Sequence, residues 1–385
     1  MSPSAAVERP AVTALGRLVS LDVLRGATIA FMILVNNSGD RAYAPLQHSD
    51  WNGWTPTDLV FPIFLFLMGA SIVFSFESRL SRGASRRSLL AHTVRRFLIL
   101  FFLGLLVNGF PLFHWETLRI YGVLQRIALC FLACGVLYLI DRRVASKTVI
   151  VLSILIGYWI LLRWASVPGY GRVGRDIPFL DKNANWVAYL DRRLFPGRLF
   201  ESTRDPEGLL STLPAIATTL MGMLTGIWLR SKRAPLSKCA GMLGAGILCT
   251  LLGELWSPWF PINKNLWTSS YVLFTAGIAL MAWALCYWAA EIKGWTTGWK
   301  SGWTFVWAVF GMNAITAYVF SELLAAAIWE IPVSGRRTLS QIIAPRVYGS
   351  LHRPQLAALA YALCFVLICW LPMLWLYRKK IFIKV

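Results

Sequence analysis

The chain has 385 residues, of which 57% are hydrophobic and only 15% carry a charge. Soluble domains average about 25% charged residues, so this composition excludes an ordinary soluble protein and indicates one that crosses a membrane several times. The formal net charge is +20, but the basic residues stand in short runs between apolar segments. That pattern sets membrane orientation and does not indicate nucleic-acid binding. The seven cysteines form no Cys-x-x-Cys pair, so we expect neither disulfides nor a metal site.

Apolar segments long enough to span a bilayer, which takes ~20 residues, recur along the chain. They predict an all-α, polytopic helical bundle of about ten transmembrane helices, preceded by a disordered cytoplasmic tail at 1–17. In this prediction 18–385 is a single domain with an extracytoplasmic loop at about 167–208. The predicted spans cover 18–37, 57–77, 92–110, 118–140, 147–166, 209–229, 236–256, 265–290, 303–328 and 355–377.

Loop charge predicts which way the bundle faces. Basic residues cluster at 79–87, 142–147, 230–238 and 378–384, and these clusters all fall on one side of a ten-span topology. By the positive-inside rule that side is the cytoplasm. We therefore expect a multi-pass membrane protein with both termini in the cytoplasm, although the basic loop at 329–354 does not fit this rule.

The first predicted span contains a charged pair and ends in two amides. Asp22 and Arg25 are three residues apart and share a helix face. The pair is consistent either with neutralisation at the membrane surface or with an anion site facing a cytoplasmic cavity. Asn36 and Asn37 end the span. Asn is an ordinary helix stop, but an amide NH2 near a catalytic base is also able to stabilise an oxyanion.

The polar segment before the second span holds the strongest candidate for chemistry. His48 is followed by Asp50 and Asp58, and a nearby carboxylate orients an imidazole as a proton acceptor. Asp58 has a second interpretation, because Thr55-Pro-Thr-Asp58 is a capping-box sequence with proline at the first helical position. Both roles are compatible, since a carboxylate has two oxygens. Ionisable groups where a membrane helix begins are costly and usually mark a site.

Further polar residues are predicted inside or at the ends of later spans. Gln125 and Arg126 are expected about two turns into the fourth span, and Asn313 deep in the ninth. The segment 264–267, which contains a lysine, an asparagine and a tryptophan, is predicted to open the eighth span. Polar side chains at such depths face protein, water or an anion, and hydrogen bonding between helices is the competing explanation for each.

Eight short motifs occur in one order over nearly the whole chain. They are Ser20-Leu-Asp-Val-Leu-Arg-Gly26, Val35-Asn36, His48-x-x-Trp-Asn-Gly53, Asp58-Leu-Val-Phe-Pro62, Gly122-Val-Leu-Gln-Arg126, Asp205-Pro-Glu-Gly-Leu209, Asn263-Lys-Asn-Leu-Trp267 and Gly311-Met-Asn313. With this set the chain resembles the bacterial relatives of heparan-α-glucosaminide N-acetyltransferase, within the transmembrane acyltransferases. The resemblance implies transfer of acetyl from cytoplasmic acetyl-CoA to an amine on the far side of the membrane, typically on a terminal glucosamine. It also implies that His48 is the essential catalytic residue and that Asn36 and Asp58 flank it.

The main hypothesis is thus an acetyl-CoA-dependent N-acetyltransferase without a metal. In this hypothesis His48 is the general base, Asp58 orients it and Asn36 polarises the carbonyl, while direct transfer and an acetyl-histidine intermediate both stay open. Acetyl-CoA is predicted to contact five residues: Arg25, Arg96, Gln125, Arg126 and Asn313. The amino-sugar or glycan acceptor is predicted to contact seven: Asp50, Trp51, Asn52, Glu207, Lys264, Asn265 and Trp267.

Two other functions stay open. One is O-acylation of a cell-envelope glycan. The other is a proton-coupled transporter or flippase in which His48 and Asp58 relay protons. A transporter of that kind is expected to show internal repeats with broken helices in matching positions, and no clear repeat is found in the chain. The sequence does not identify the acceptor or the physiological acyl group, and it leaves a homodimer open.

Overall fold

The computed structural model describes residues 18–296, 302–334, 337–343 and 353–383. The tail predicted at 1–17 lies outside these residues. The described part is mostly helical, and its sheet is a small antiparallel hairpin of β1 (Pro332–Ser334) and β2 (Arg337–Thr338). The prediction of an all-α fold is confirmed.

The longer helices of the described residues are numbered α1 to α12 in chain order. They are α1 (Val19–Asn36), α2 (Val60–Leu80), α3 (Arg86–Gly109), α4 (Val123–Ile140), α5 (Val144–Trp164), α6 (Trp186–Leu194), α7 (Thr212–Arg230), α8 (Pro235–Trp256), α9 (Ser269–Tyr287), α10 (Gly302–Met312), α11 (Ala314–Glu330) and α12 (Pro354–Arg378). Short 3₁₀ turns at Ala44–Leu46 and Pro56–Leu59 stand between α1 and α2, and a π turn at Trp288–Ile292 extends α9.

The number of membrane spans agrees with the prediction. Within the described residues, 9 helices are long and apolar enough to cross a membrane, and there are up to 10 spans if the bent pair α10 and α11 counts as one. These two helices meet at an angle of 73°. Asn313, predicted deep inside an unbroken ninth span, instead stands at this bend. Its side chain accepts a hydrogen bond from Ile383 N (2.9 Å) and donates one to Ile381 O (3.1 Å), which ties the segment after α12 to the bend.

The largest delays are in α4 and α9, which begin at Val123 and Ser269 against predicted starts at 118 and 265, because side chains bind the backbone before each start. Asn108 donates to the carbonyls of Arg119 (3.0 Å) and Tyr121 (2.7 Å), which holds 118–122 outside α4. The predicted depth of Gln125 and Arg126 was therefore wrong: both lie in the first turn of α4. Likewise the Asn263 side chain accepts from Leu266 N (2.9 Å), a local bond that competes with helix formation, so 264–267 is a turn preceding α9.

The bundle has an inner and an outer group of helices. More than half of the most apolar window is buried in α1, α2, α4, α7 and α9, but less than a quarter in α3, α5 and α8. Glycines let the inner helices approach closely. A Cβ at Gly69 of α2 would overlap the carbonyl of Thr219 in α7, and a Cβ at Gly222 of α7 would overlap that of Phe66 in α2. This contact fixes α2, and the 3₁₀ turn that carries Asp58 leads directly into α2.

The polar segments lie together at one end of the bundle. There α1 ends and α2, α4, α7 and α9 begin, and the segment 165–211, which contains α6, covers them. Trp51 Nε1 donates to Leu180 O (2.9 Å) across this cover, and Tyr271 OH of α9 donates to Asp58 O (2.5 Å). We call this the His48 end. The segment predicted as a loop at 167–208 is thus a folded cover with its own helix.

Candidate active site

His48 and Asp58 form a hydrogen-bonded pair at the His48 end. His48 Nδ1 lies 2.7 Å from Asp58 Oδ1. The carboxylate can only accept a hydrogen bond, so Nδ1 is the protonated ring nitrogen and Nε2 carries the free lone pair. The side chain of Asp58 is 1% exposed, whereas that of His48 is 53% exposed. The pair therefore presents a basic nitrogen to solvent from a fixed, buried carboxylate.

The second carboxylate oxygen of Asp58 performs the structural role. Asp58 Oδ2 accepts from the backbone N–H groups of Ser49 (3.1 Å) and Thr55 (2.9 Å). The predicted capping box is present, and Pro56 occupies the start of the turn that leads into α2. One oxygen thus holds the helix start while the other orients the imidazole.

Lys264 lies against the same pair. Its Nζ atom is 3.0 Å from Nδ1 and 3.1 Å from Nε2 of His48, and 3.8 Å from Asp58 Oδ1. Nearly equal distances to both ring nitrogens place the ammonium over the ring face, away from the in-plane direction of the Nε2 lone pair. Burial lowers the pKa of the Lys264 ammonium, against the opposing effects of Asp58 and Glu207.

A cavity of about 340 Å³ opens beside His48. It brings together all three predicted catalytic residues and four of the residues predicted to bind the acceptor: Asn36, His48, Asp58, Asp50, Glu207, Lys264 and Asn265. Its other polar and aromatic lining residues include Ser49, Thr57, Phe61, Arg119, Phe200, Glu201 and Arg204. The volume is near the lower end of the ~300–1,000 Å³ range of small-molecule sites.

Arg119 organises one wall of this cavity. Its guanidinium makes a two-point contact with Asp205 (2.8 and 2.6 Å) and also contacts Glu207 (2.5 Å). Burial alone would lower the pKa of Arg119, but the two carboxylates outweigh it and raise the pKa above its ordinary value. Asp205 is itself fixed, since it accepts from the backbone N–H of Phe200 (3.0 Å). Glu207 is therefore held by a charged network of fixed geometry.

Asn36 lies on the cavity from the side of α1. Its amide Nδ2 donates to Glu322 Oε1 of α11 (3.0 Å). This bond uses one of the two amide hydrogens. The contact joins the predicted oxyanion residue to a carboxylate of the bent ninth span.

Beneath the cavity, two side chains at the start of α4 have incomplete hydrogen bonding. Arg126 is 1% exposed, and its Nη2 donates to Gly208 O (3.1 Å) and Ser211 Oγ (2.5 Å). Its Nε and Nη1 atoms, and both amide atoms of Gln125, have no hydrogen-bond partner within the described part of the chain. Buried polar atoms normally have partners, so these atoms point to a ligand or water at this position.

The remaining predicted donor residues lie apart from this group. Arg25 Nη2 contacts Asp22 (2.7 Å) and Gly311 O (2.5 Å) near the opposite end of α1. Eleven residues separate Arg25 from Asn36, or about 16 Å along the helix. Arg96 of α3 stacks over Phe131 of α4 at 4.3 Å. The structure therefore does not bring Arg25 and Arg126 into one anion site.

Three residues predicted to contact the acceptor are not among those that line the cavity. Trp51 anchors the cover through Leu180, and Asn52 Oδ1 accepts from Asn263 Nδ2 (3.2 Å). Trp267 is 1% exposed and donates to Thr218 Oγ1 (3.1 Å). Long-range packing thus gives these polar and aromatic groups structural partners.

The sequence reasoning missed several cavity residues. Arg119 lies only a few positions before the predicted pair in α4, and Glu201, Phe200 and Arg204 lie in a segment without a helical pattern. The sequence signal for Arg119 is a basic residue just before the fourth span, together with an acidic motif, Asp205-Pro-Glu-Gly208, that needs a positively charged partner. No local pattern marks Phe200.

The comparisons with known proteins bear on this site directly. The family described as "Heparan-alpha-glucosaminide N-acetyltransferase, catalytic" matches residues 17–255. The chain is 30% identical to the heparan-alpha-glucosaminide N-acetyltransferases of Homo sapiens and Mus musculus, over 80% of its own length and over 53% and 54% of theirs. It therefore spans about half the length of these curated relatives. The matched range contains His48, Asp58 and the cover. The chain belongs to the heparan-alpha-glucosaminide N-acetyltransferase catalytic family, a family of membrane acetyltransferases.

Proposed function

We propose that this protein transfers acetyl from acetyl-CoA to the amino group of a glucosamine-like sugar, with His48 as general base. The observation that carries this proposal is the 2.7 Å contact between His48 Nδ1 and a buried Asp58. It leaves a lone pair on Nε2 of a residue that lines a cavity of small-molecule size. Membership of an N-acetyltransferase family supports the reaction class, and the name of the human and mouse relatives supports an amino sugar as acceptor.

In the proposed reaction His48 Nε2 removes a proton from the acceptor amine as the nitrogen attacks the thioester carbonyl. The C–N bond forms, the C–S bond breaks, and the imidazolium returns its proton to the departing sulfur. Asp58 stabilises the imidazolium and holds the ring in the productive tautomer. An acceptor amine bound as its free base needs no further proton acceptor.

Two residues are placed to stabilise the oxyanion that develops on the acetyl carbonyl. Lys264 supplies a positive charge over the His48 ring, and Asn36 supplies an amide hydrogen from α1. Fixed donors of this kind stabilise developing negative charge without reorganisation during the reaction. We assign Asp50, Glu207 and Asn265 on the cavity wall to the acceptor.

For the donor, we propose that Gln125 and Arg126 hold the end nearest the thioester, because their buried polar atoms have no hydrogen-bond partner in the described structure. Arg25, Arg96 and Asn313 remain the proposed contacts for the phosphate end. The loop charges support a cytoplasmic donor and an acceptor on the opposite face, in a bacterial inner membrane with cytoplasmic termini.

The test uses purified protein in liposomes, labelled acetyl-CoA and a panel of amino sugars. His48→Ala should lower transfer ~100- to 10,000-fold, the usual contribution of general base catalysis, while acetyl-CoA still raises the melting temperature. His114→Ala is the matched control, since His114 is exposed and does not line the cavity. Full activity in His48→Ala would refute the mechanism. A hydroxylamine-labile product would indicate O-acylation.

A further inference from the structure

The chain carries a primary amine of its own inside the proposed active site, on Lys264. Of the lysines that the structure describes, Lys264 alone lines the His48 cavity. Its Nζ atom is 3.1 Å from His48 Nε2, and a general base must lie about 2.6–3.2 Å from the group whose proton it removes. This amine therefore already lies within reach of the nitrogen that deprotonates the acceptor in the proposed reaction.

The surroundings of Lys264 favour the uncharged form of its amine. The side chain is 17% exposed, and burial lowers the pKa of the ammonium, against the opposing charges of Asp58 and Glu207. An ammonium has no lone pair, whereas the free amine has one and can attack a carbonyl. Desolvation is a recognised way of activating a lysine as a nucleophile, so Lys264 has the environment of a reactive amine.

The Lys264 side chain is also able to reach the reacting position. Its Nζ atom now lies over the ring face of His48, whereas the Nε2 lone pair lies in the ring plane. Lysine has a flexible four-carbon stem, so rotation about its last carbon–carbon bond carries Nζ from the ring face toward that plane. The backbone stays in place during this rotation, because the Lys264 carbonyl accepts a hydrogen bond from Trp267 N (3.1 Å).

We propose that Lys264 is a self-acetylation site, which receives the acetyl group of acetyl-CoA on Nζ when no acceptor occupies the cavity. The C–N bond to Nζ forms and the thioester C–S bond breaks, while His48 carries the proton lost by Nζ to the departing sulfur. This inference rests on the proposed function for the identity of the acetyl donor. The product is an amide, which is a far weaker acyl donor than a thioester, so the acetyl group stays on Lys264.

Acetylation of Lys264 would remove a charge that the proposed reaction uses. Acetyl-lysine is neutral, so no positive charge would remain over the His48 ring to stabilise the oxyanion. The added acetyl group would also fill part of the cavity of about 340 Å³ beside His48. The modification should therefore stop turnover, and a bound acceptor should prevent it by occupying the position next to Nε2. Self-acetylation would thus inactivate a protein that meets acetyl-CoA without an acceptor.

The test incubates the purified protein in liposomes with deuterium-labelled acetyl-CoA and follows the label on each lysine by peptide mass spectrometry. Lys264 should be labelled in the absence of an acceptor, and His48→Ala should slow this labelling ~100- to 10,000-fold. Lys182 is the internal control for uncatalysed acetylation, because it is exposed at the same end of the bundle and does not line the cavity. Its labelling should be equally fast in both proteins. Lys264 labelling that is no faster than that of Lys182, or that is unchanged in His48→Ala, would overturn the proposal.

Loss of activity provides a second measurement. The parent protein, preincubated with acetyl-CoA alone, should lose its transfer activity in step with the labelling of Lys264. Lys264→Arg keeps a positive charge but has no amine to acetylate, so it should hold its own starting rate through the same preincubation. Amino-sugar acetylation with Lys264 left unlabelled would refute this inference and leave the proposed function standing. Labelling of Lys264 that depends on His48, with no amino sugar acetylated, would support the inference and refute the sugar acceptor.

Discussion

Replacing Asp58 by Asn separates the two roles of this carboxylate. Two backbone donors, the N–H groups of Ser49 and Thr55, point at Oδ2. The single carbonyl oxygen of the amide must therefore take the Oδ2 position. This places the amide NH2 against His48 Nδ1, where an acceptor stood before. Because NH2 can only donate, Nδ1 must become the acceptor and the ring proton must move to Nε2.

The expected loss of activity follows from this tautomer change. The nitrogen that faces the cavity no longer carries a lone pair, so general base catalysis is lost. A loss of ~100- to 10,000-fold in kcat corresponds to about 2.7–5.4 kcal/mol of transition-state stabilisation. The helix start keeps an acceptor, so the melting temperature should fall little. Asp58→Ala removes the acceptor as well and should cost on the order of 1–3 kcal/mol of stability in addition.

The assay measures single-turnover transfer and thermal unfolding for the parent and both variants. Asp58→Asn should be nearly inactive but nearly as stable as the parent, and Asp58→Ala should be both inactive and less stable. Near-parental kcat in Asp58→Asn would refute the tautomer argument and reduce Asp58 to a helix cap. The opposite result, a stability loss in Asp58→Asn as large as in Asp58→Ala, would show that the amide does not occupy the predicted orientation.

Three further predictions concern the cover and the orientation. Gly208→Ala should lower stability by about 1–3 kcal/mol in thermal unfolding, because its Cβ would overlap the buried Asp191 carboxylate, whereas Gly157→Ala, with open space around it, should not. Burial raises the pKa of Asp191 to about 7, so the folded state keeps a proton between about pH 4 and 7 that the unfolded chain has lost, and stability falls as pH rises through that window. Asp191→Asn should abolish this fall and unfold at a higher temperature than the parent at pH 8; equal pH slopes would contradict it. A cysteine at Asn183 should react with an impermeant reagent on intact cells, and protection there would invert the proposed topology.

The features that the sequence predicted well are local ones. The spans follow from runs of apolar residues, and the capping box from four consecutive residues, Thr55–Asp58. The pairing of His48 with Asp58 could be predicted because the two residues are only ten positions apart in the sequence. Errors arose where a side chain redirected the backbone: Asn263 delays α9 and Asn108 delays α4. Apolar periodicity contains no information about such bonds.

The features that could not be predicted depend on tertiary contacts. Lys264 was assigned to the acceptor, but it reaches the imidazole of His48 across 216 positions of the chain. Trp267 is an aromatic residue in a polar segment, which is typical of a binding residue, and its side chain is nevertheless buried. The difference lies in which side of the 264–267 turn packs against α2 and α7, and the hydrophobic pattern of the segment does not reveal that side. Arg119 and Phe200 meet only because the cover folds back over the start of α4.

The separation of Arg25 from Arg126 leads to a last prediction about the donor. Arg25 already binds Asp22 and Gly311, so a ligand there must compete with existing partners. Arg126 keeps two unbonded guanidinium nitrogens beneath the cavity, and a ligand there would gain hydrogen bonds without losing any. Arg126→Ala should therefore weaken calorimetric binding of acetyl-CoA about 10- to 100-fold, the value of a charge-assisted hydrogen bond.

The control for this prediction is Ser211→Ala. It removes a structural partner of Arg126 and leaves the two unbonded nitrogens in place, so it should lower the melting temperature without a comparable loss of acetyl-CoA affinity. If both variants lose stability and neither loses affinity, the donor does not contact Arg126. The unpaired nitrogens would then be hydrated, because an unpaired buried guanidinium edge is too costly to leave without water. Loss of affinity in Arg126→Ala alone would place the donor in contact with the Arg126 guanidinium, beside Gly208 and Ser211.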